Sequence, residues 1–227
     1  MREIVLDTET TGFDPLQGHR VVEIGCIELF NHIATGNEFH AYLNPERDMP
    51  SEAEAVHGLS IAFLSDKPLF AAVADDMLAF IGQAPIIAHN AGFDMNFINA
   101  ELKRIGRMGI PNDRAIDTVT LARRKFPGAQ ASLDALCRRF QIDTSERGKH
   151  GALLDAKLLS KVYLELIGGR EPGLALAAAE VVSTQVMAQE RAVRPPRSHA
   201  PSPEELAAHE TFIATLKNPI WLQPAKT

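Results

Sequence analysis

Cysteine, tryptophan and tyrosine are almost missing from this 227-residue chain, with two, one and two copies respectively. The two cysteines, Cys26 and Cys137, form no CxxC pair and suggest no disulfide framework, so reduced thiols and a cytoplasmic location are expected. No apolar run approaches the ~20 residues that a membrane span requires. The first strand signal begins directly after Met1-Arg2-Glu3, which leaves no room for a signal peptide, and no membrane partner is expected. Positive charge is also short: 23 Lys and Arg stand against 29 Asp and Glu, for a net charge of −6. That balance argues against a stand-alone module gripping long nucleic acid through many phosphates. It is compatible with a protein that meets only a few phosphates at a time and relies on a partner to stay on nucleic acid.

What is present is a 45% hydrophobic chain, enough for one medium domain with an appendage or for two small ones. Residues 2–6, 20–30 and 37–43 read as three strands of a meander, with turns at Gly12, Gly18 and Asn31–Gly36. From Leu69 to Ile81 the apolar spacing is helical and puts Leu69, Val73, Met77 and Phe80 on one face. A short strand at 86–88 leads into a helix from Met95 to Arg104. Another strand at 115–117 precedes helices at 118–125, 132–140 and 153–167, the last stopped by Gly168-Gly169. Hairpin strands followed by alternating helix and strand imply an α/β fold with a mixed central sheet flanked by helices. After Gly169 the texture changes: Glu171-Pro172-Gly173 and Arg194-Pro195-Pro196-Arg197 punctuate a stretch that reads as a flexible linker. Structure returns at Ser202-Pro203-Glu204-Glu205, a capping box. Leu206, Ile213 and Leu216 then line a short helix that Asn218-Pro219 ends, with Trp221 beyond it. Such a segment has no core of its own and reads as a docking peptide that folds on a partner.

The chemistry lies in dispersed acids. Asp7 and Glu9 close the strand Ile4-Val5-Leu6-Asp7-Thr8-Glu9, and residues two apart on a strand share a face. Asp94 stands in His89-Asn90-Ala91-Gly92-Phe93-Asp94, after the apolar Pro85–Ala88, and Asp155 follows His150 by five positions at the head of a helix. Four carboxylates and one histidine, each beside the end of an element, make a hard-oxygen site for Mg²⁺ or Mn²⁺ with a titratable base next to it.

The segments Asp7-Thr8-Glu9-Thr10-Thr11-Gly12, Asn90-Ala91-Gly92-Phe93-Asp94 and His150-Gly151-Ala152-Leu153-Leu154-Asp155 resemble the three motifs of the DEDDh 3′→5′ exonucleases. Val56-His57-Gly58, Arg124-Lys125-Phe126-Pro127-Gly128, Ser132–Cys137 and Glu204–Glu210 extend the resemblance to the proofreading subunits of bacterial replicative polymerases. It covers residues 1–168 densely. The resemblance implies a ribonuclease H-like exonuclease fold over residues 1–169, a flexible linker at 170–201, and a C-terminal tail at 202–227 that binds the polymerase (alpha) subunit. It implies two metal ions, with Asp7, Glu9 and Asp155 holding the first, Asp7 bridging to the second, and Asp94 acting through water. His150 would be the general base, in a loop closing on substrate, and no tyrosine stands where the sister DEDDy group carries one. Glu52 and His57 resemble positions that contact the terminal nucleotide of a single-stranded or frayed 3′ end of DNA. Thr10 and Thr11 would offer amides or hydroxyls to its 3′-hydroxyl. His89 reads as a support for the Asn90–Asp94 turn and Asn90 as the residue that orients Asp94. The run Arg123-Arg124-Lys125 reads as a solvated helix face, with DNA steering as the alternative. A sliding-clamp peptide would fall at Glu171–Leu176, but Glu171 replaces the favoured Gln and Leu176 the favoured aromatic, which implies weak contact at most. A small third core subunit is a further partner of such proteins. Two rival functions remain: RNA trimming by the same chemistry, and a nuclease-like adaptor, which the presence of all five site residues disfavours.

Overall fold

Ile4, Val5 and Leu6 are fully buried, and their strand is the middle one of a five-stranded sheet. The computed structural model describes residues 1–145, 148–168, 200–217 and 219. The chain divides into two units, Met1–Ala175 and Leu176–Thr227. In the first, β1 (Arg2–Thr10), β2 (Val21–Phe30) and β3 (Ile33–Tyr42) form an antiparallel meander, and β4 (Ile86–Ala88) and β5 (Ala115–Asp117) continue the sheet in parallel with β1. The order is β3-β2-β1-β4-β5. This is the mixed sheet with flanking helices that the alternation of elements implies.

Strand alternation divides the core between the two faces of the sheet. Ile4 and Leu6 pack with Ile24, Phe97 and Ile98, whereas Val5 packs on the other face with Ile87, Leu159 and Val162. The first face is covered by α3 (Phe70–Ile81) and α4 (Ala91–Arg104), the second by α5 (Thr118–Lys125), α6 (Leu133–Arg139) and α7 (Ala152–Ile167). Two shorter helices, α1 (Ser51–His57) and α2 (Ile61–Leu64), lie in the β3–α3 connection. Most of α1 is exposed, so it carries no apolar stripe for periodicity to detect. Pro50, the acidic first turn of Glu52 and Glu54, and Gly58 in the left-handed region (φ 78°) define its ends.

Several boundaries differ from the sequence reading. β1 extends to Thr10, because Asp7 and Glu9 remain paired with Gly25 and Glu23 of β2. The hairpin turn is only Asn31-His32, both left-handed, and Gly36 belongs to β3 near an irregularity in register. The buried stripe of α3 is Phe70, Ala74, Met77 and Ile81; Val73 and Phe80 flank it, and Leu69 is the N-cap. α4 begins at Ala91, which puts Asp94 in its first turn.

In the second unit α8 spans Pro203–Ala214. Ser202 Oγ accepts from Glu205 N–H and Glu205 Oε2 accepts from Ser202 N–H, the reciprocal bonds of a capping box. Leu206 and Phe212 are exposed on it, as is Leu216 just beyond. The linker reading over 170–201, the clamp segment Glu171–Leu176 and Trp221 fall essentially outside the described residues.

Candidate active site

Strand β1 delivers two carboxylates to one place. Asp7 and Glu9 both lie partly buried on the face that α7 covers, and directly after Glu9 the pairing with β2 shifts register, Thr10 meeting Val21. Opposite Asp7 in the ladder stands Gly25, and a Cβ there would lie 2.4 Å from the backbone carbon of Ala152 and from Leu153 N. Only glycine lets the N-terminus of α7 sit this close to the sheet. That approach brings Asp155, in the first turn of α7 and almost completely buried, down onto β1. The positive end of the α7 dipole then faces the carboxylates.

His150, directly before the N-cap Gly151, holds its Nδ1 3.1 Å from Asp155 Oδ2. One side-chain atom from each of Glu9, His150 and Asp155 lies within 4.8 Å of the others. Asp94 comes from the opposite face at the start of α4, where Thr8 Oγ1 donates to its Oδ1 at 2.7 Å. Asn90 does not orient Asp94 as expected: it is a left-handed N-cap (φ 68°) without a side-chain cap bond, and the orienting group is Thr8.

The electrostatics describe a site built for a cation. Asp7 is held well above the ordinary carboxylate range, first by burial and then by Asp94, Glu9, Asp155 and Glu23. Asp94 is pushed up to about 7, chiefly by burial, against the opposing Thr8 hydrogen bond. Each charge acting on Asp7 is another carboxylate, so the converging hard oxygens fit a divalent metal, with one imidazole beside them. Glu23, buried and directly across from Glu9, was not singled out from the sequence; His40 Nε2 lies 2.7 Å from its Oε1.

Two cavities flank the carboxylates. One, of about 450 Å³, is lined by Thr8–Phe13, His19, Glu52, Val56, His57 and Phe93, and gathers the expected Thr10, Glu52 and His57. His57 is buried, its Nδ1 accepts the Leu59 N–H at 3.0 Å, and burial depresses its pKa, so the ring is neutral with its proton on Nε2. The hydroxyls of Thr10 and Thr11 serve the turn: Thr10 donates to Gly12 O at 2.6 Å, and Thr11 Oγ1 accepts from Arg20 N–H. The Thr11 N–H is engaged as well, donating to Arg20 O at 2.9 Å. Phe13, 90% exposed at the cavity wall, was also overlooked.

The second cavity, about 760 Å³, is lined by Asp7, His150 and Asp155 and then by His89, Asn90, Asp117, Arg123 and the chain from Ala129 to Asp134. His89 Nδ1 lies 2.9 Å from Thr118 Oγ1, a contact to α5 rather than to the Asn90–Asp94 turn it was expected to support. Asp117 caps α5 through Val119 N–H and also accepts from Asn90 N–H. The basic run splits by function: Lys125 Nζ donates to Glu165 O and Leu166 O at the end of α7, while Arg123 lines the cavity.

Comparison with known proteins agrees with this geometry. The exonuclease family model matches residues 4–163. The chain is 47% identical over 222 residues to the DNA polymerase III subunit epsilon of Rickettsia felis, covering 95% of this chain and 97% of that protein. It is 43% identical over 224 residues to the protein of the same name from Escherichia coli, covering 93% and 92%. The solved nuclease domain of 3′hExo, a DEDDh family member bound to rAMP, superposes with a TM-score of 0.64 over 73% of this chain and 91% of that one, at 17% identity, a likeness of fold.

Proposed function

The chain belongs to the exonuclease family, and we propose that it is the proofreading 3′→5′ exonuclease subunit of a bacterial DNA polymerase III. The observation that carries this reading is the convergence of Asp7, Glu9, Asp94, His150 and Asp155 at one end of the sheet, in a chain similar to epsilon subunits along nearly its whole length. As a metal-dependent hydrolase it would hold two ions, Mg²⁺ or Mn²⁺, with Asp7, Glu9 and Asp155 as the principal ligands and Asp94 behind them. Such ions neutralise charge on the leaving 3′-oxygen and lower the pKa of the attacking water.

The chain's own groups do the rest. With Nδ1–H donating to Asp155, the His150 ring presents Nε2 to take the proton from water. The neutral His57 donates from Nε2 within the cavity where the terminal nucleoside is held, and Glu52 stands beside it. Phe13 offers an exposed ring on which a base can stack. A mismatched primer end unpairs more readily, and only an unpaired end reaches a cavity of this size, so selectivity follows unpairing energy rather than the identity of the wrong base.

The linker and tail, 170–227, tether the catalytic unit to the polymerase subunit, with Leu206, Phe212 and Leu216 as apolar contacts. Contact with a sliding clamp near Glu171–Leu176 would be weak. A third small subunit remains a further candidate partner. No helix among the described residues is long and apolar enough to cross a membrane, and replication chemistry belongs to the cytoplasm of a bacterium.

The test is digestion of a primer with a labelled mismatched 3′ end, with Mg²⁺ and with EDTA, against the matched primer and an RNA strand of the same sequence. Stepwise loss of 3′ nucleotides, metal-dependent and faster at the mismatch, is expected. Activity that survives EDTA, or an equal preference for RNA, would overturn the assignment.

A further inference from the structure

The carboxylates stand between the two cavities, Glu9 lining the smaller and Asp7 and Asp155 the larger, and that arrangement fixes a direction for the strand. If the terminal nucleoside occupies the cavity walled by Thr10, Glu52 and His57, the phosphate to be cleaved lies over Asp7, Glu9 and Asp155. The strand on its 5′ side must then run through the larger cavity toward α5 and α6. On α5, Thr118 and Ala122 are buried one turn apart, and Val119 and Arg123, also one turn apart, both line that cavity. Arg123 is the only arginine or lysine among its described lining residues. Two other basic groups nearby are engaged in the fold, Lys125 capping α7 and Arg139 lying over the Phe126 ring, while Arg124 does not line the cavity. Arg123 is exposed, and among the described residues it has neither an ion pair nor a hydrogen bond. The neighbouring acid Asp117 is already occupied by Asn90 N–H, Val119 N–H and the Thr120 hydroxyl. A guanidinium left without a partner in a cleft walled by carboxylates is placed for an anion that arrives with the substrate.

Resting on the nuclease reading above, we infer that Arg123 receives the phosphodiester next upstream of the scissile one, and that it makes the enzyme favour strands over isolated nucleotide esters. Phosphate contacts of this kind set register rather than sequence preference, so the effect is independent of base. Arg124, one residue on, projects about 100° around the helix and serves as the control.

The experiment compares two substrates with the full-length chain in Mn²⁺: a single-stranded oligodeoxynucleotide, and the p-nitrophenyl ester of thymidine 5′-monophosphate, which has no upstream phosphodiester. Arg123→Ala is expected to lower kcat/KM on the oligonucleotide by about tenfold, the size expected for one charge-assisted contact, and to leave hydrolysis of the ester unchanged. Arg123→Lys should recover part of the loss and Arg124→Ala should cause little. The salt dependence of kcat/KM on the oligonucleotide should flatten by a slope of about 0.7, the loss of one phosphate contact to single-stranded DNA. Equal loss on both substrates would make Arg123 structural and overturn the inference, as would an unchanged rate on the oligonucleotide. A wild-type chain that hydrolysed neither substrate would instead overturn the nuclease reading itself.

Discussion

Replacing Asp94 by asparagine should stabilise the metal-free protein at neutral pH, although Asp94 belongs to the proposed catalytic set. Its carboxyl is 3% exposed and its pKa stands at about 7, against 3.8 for an ordinary aspartate. For an acid whose folded pKa is raised, the contribution to stability is fully present below the unfolded value and is lost as pH climbs through the folded one. The loss therefore runs from about pH 4 to about pH 7 and amounts to about 4 kcal/mol once Asp94 is ionised in the folded chain. Asparagine removes the titration and keeps an oxygen to accept the Thr8 hydroxyl. Burying its amide hydrogens costs about 1–3 kcal/mol, so the net gain at pH 8 should be about 1–3 kcal/mol. Urea unfolding in EDTA at pH 8 and pH 5 measures it. The variant should unfold at higher urea at pH 8, and its advantage should shrink or reverse at pH 5. Metal ions should stabilise the wild type more than the variant. An advantage that grew toward pH 5, or none at pH 8, would refute the burial argument.

Gly25→Ala should cut hydrolysis by about 10²-fold or more, since α7 must lift off the sheet and carry Asp155 and His150 out of register with Asp7; kcat on a labelled oligonucleotide checks this. His150→Gln should keep metal affinity by titration calorimetry while losing about 10²–10⁴ of the rate, and a rate and pH profile equal to wild type would remove His150 from the role of base. A chain ending at Gly168 should hydrolyse single strands as well as the full chain does but no longer co-elute with the purified polymerase subunit; retained co-elution would put the main contact on the catalytic unit.

The sequence disclosed this site wherever an apolar strand or helix ended abruptly in acid. Asp7 and Glu9 were legible because Ile4-Val5-Leu6 announces a strand and period-two spacing assigns both to one face. Asp94, His150 and Asp155 were legible by their motifs, although only tertiary structure puts their atoms together. What stayed hidden depends on contacts between distant segments. Gly25 reads as an unremarkable residue within a strand until the α7 backbone is seen against it. Thr8 points away from Asp7 on its own strand, and nothing local shows that its hydroxyl reaches Asp94, 86 residues on. Glu23 looks like a solvent-facing acid in a strand, yet its cross-strand neighbour is Glu9 and its partner is His40. Helix α1 escaped notice because a mostly exposed helix of seven residues has no buried periodicity to leave in the sequence.

Strand direction explains why such distant residues meet. β1, β4 and β5 run parallel, and the pairings Val5 with Ile87 and Ala88 with Asp117 bring their carboxyl ends to one level. On each of the three the apolar run gives way at that level to polar residues: Asp7 on β1, His89 after β4, Asp117 at the end of β5. β2 runs the other way, so its contribution at the same height comes from its N-terminal half, as Glu23 and Gly25. The connections after β4 and β5 pass to opposite faces, and α4 and α7 therefore bring Asp94 and Asp155 to the end of β1 from either side. Open sheets of this kind place their ligand sites beyond the carboxyl ends of their strands, where the chain switches face. In this chain burial at that edge, with neighbouring carboxylates adding to it around Asp7, raises the pKa of Asp7 and Asp94, and a bound cation would relieve both. The strain in the metal-free site and its fitness for a divalent ion are two consequences of carboxylates buried together without counter-charge.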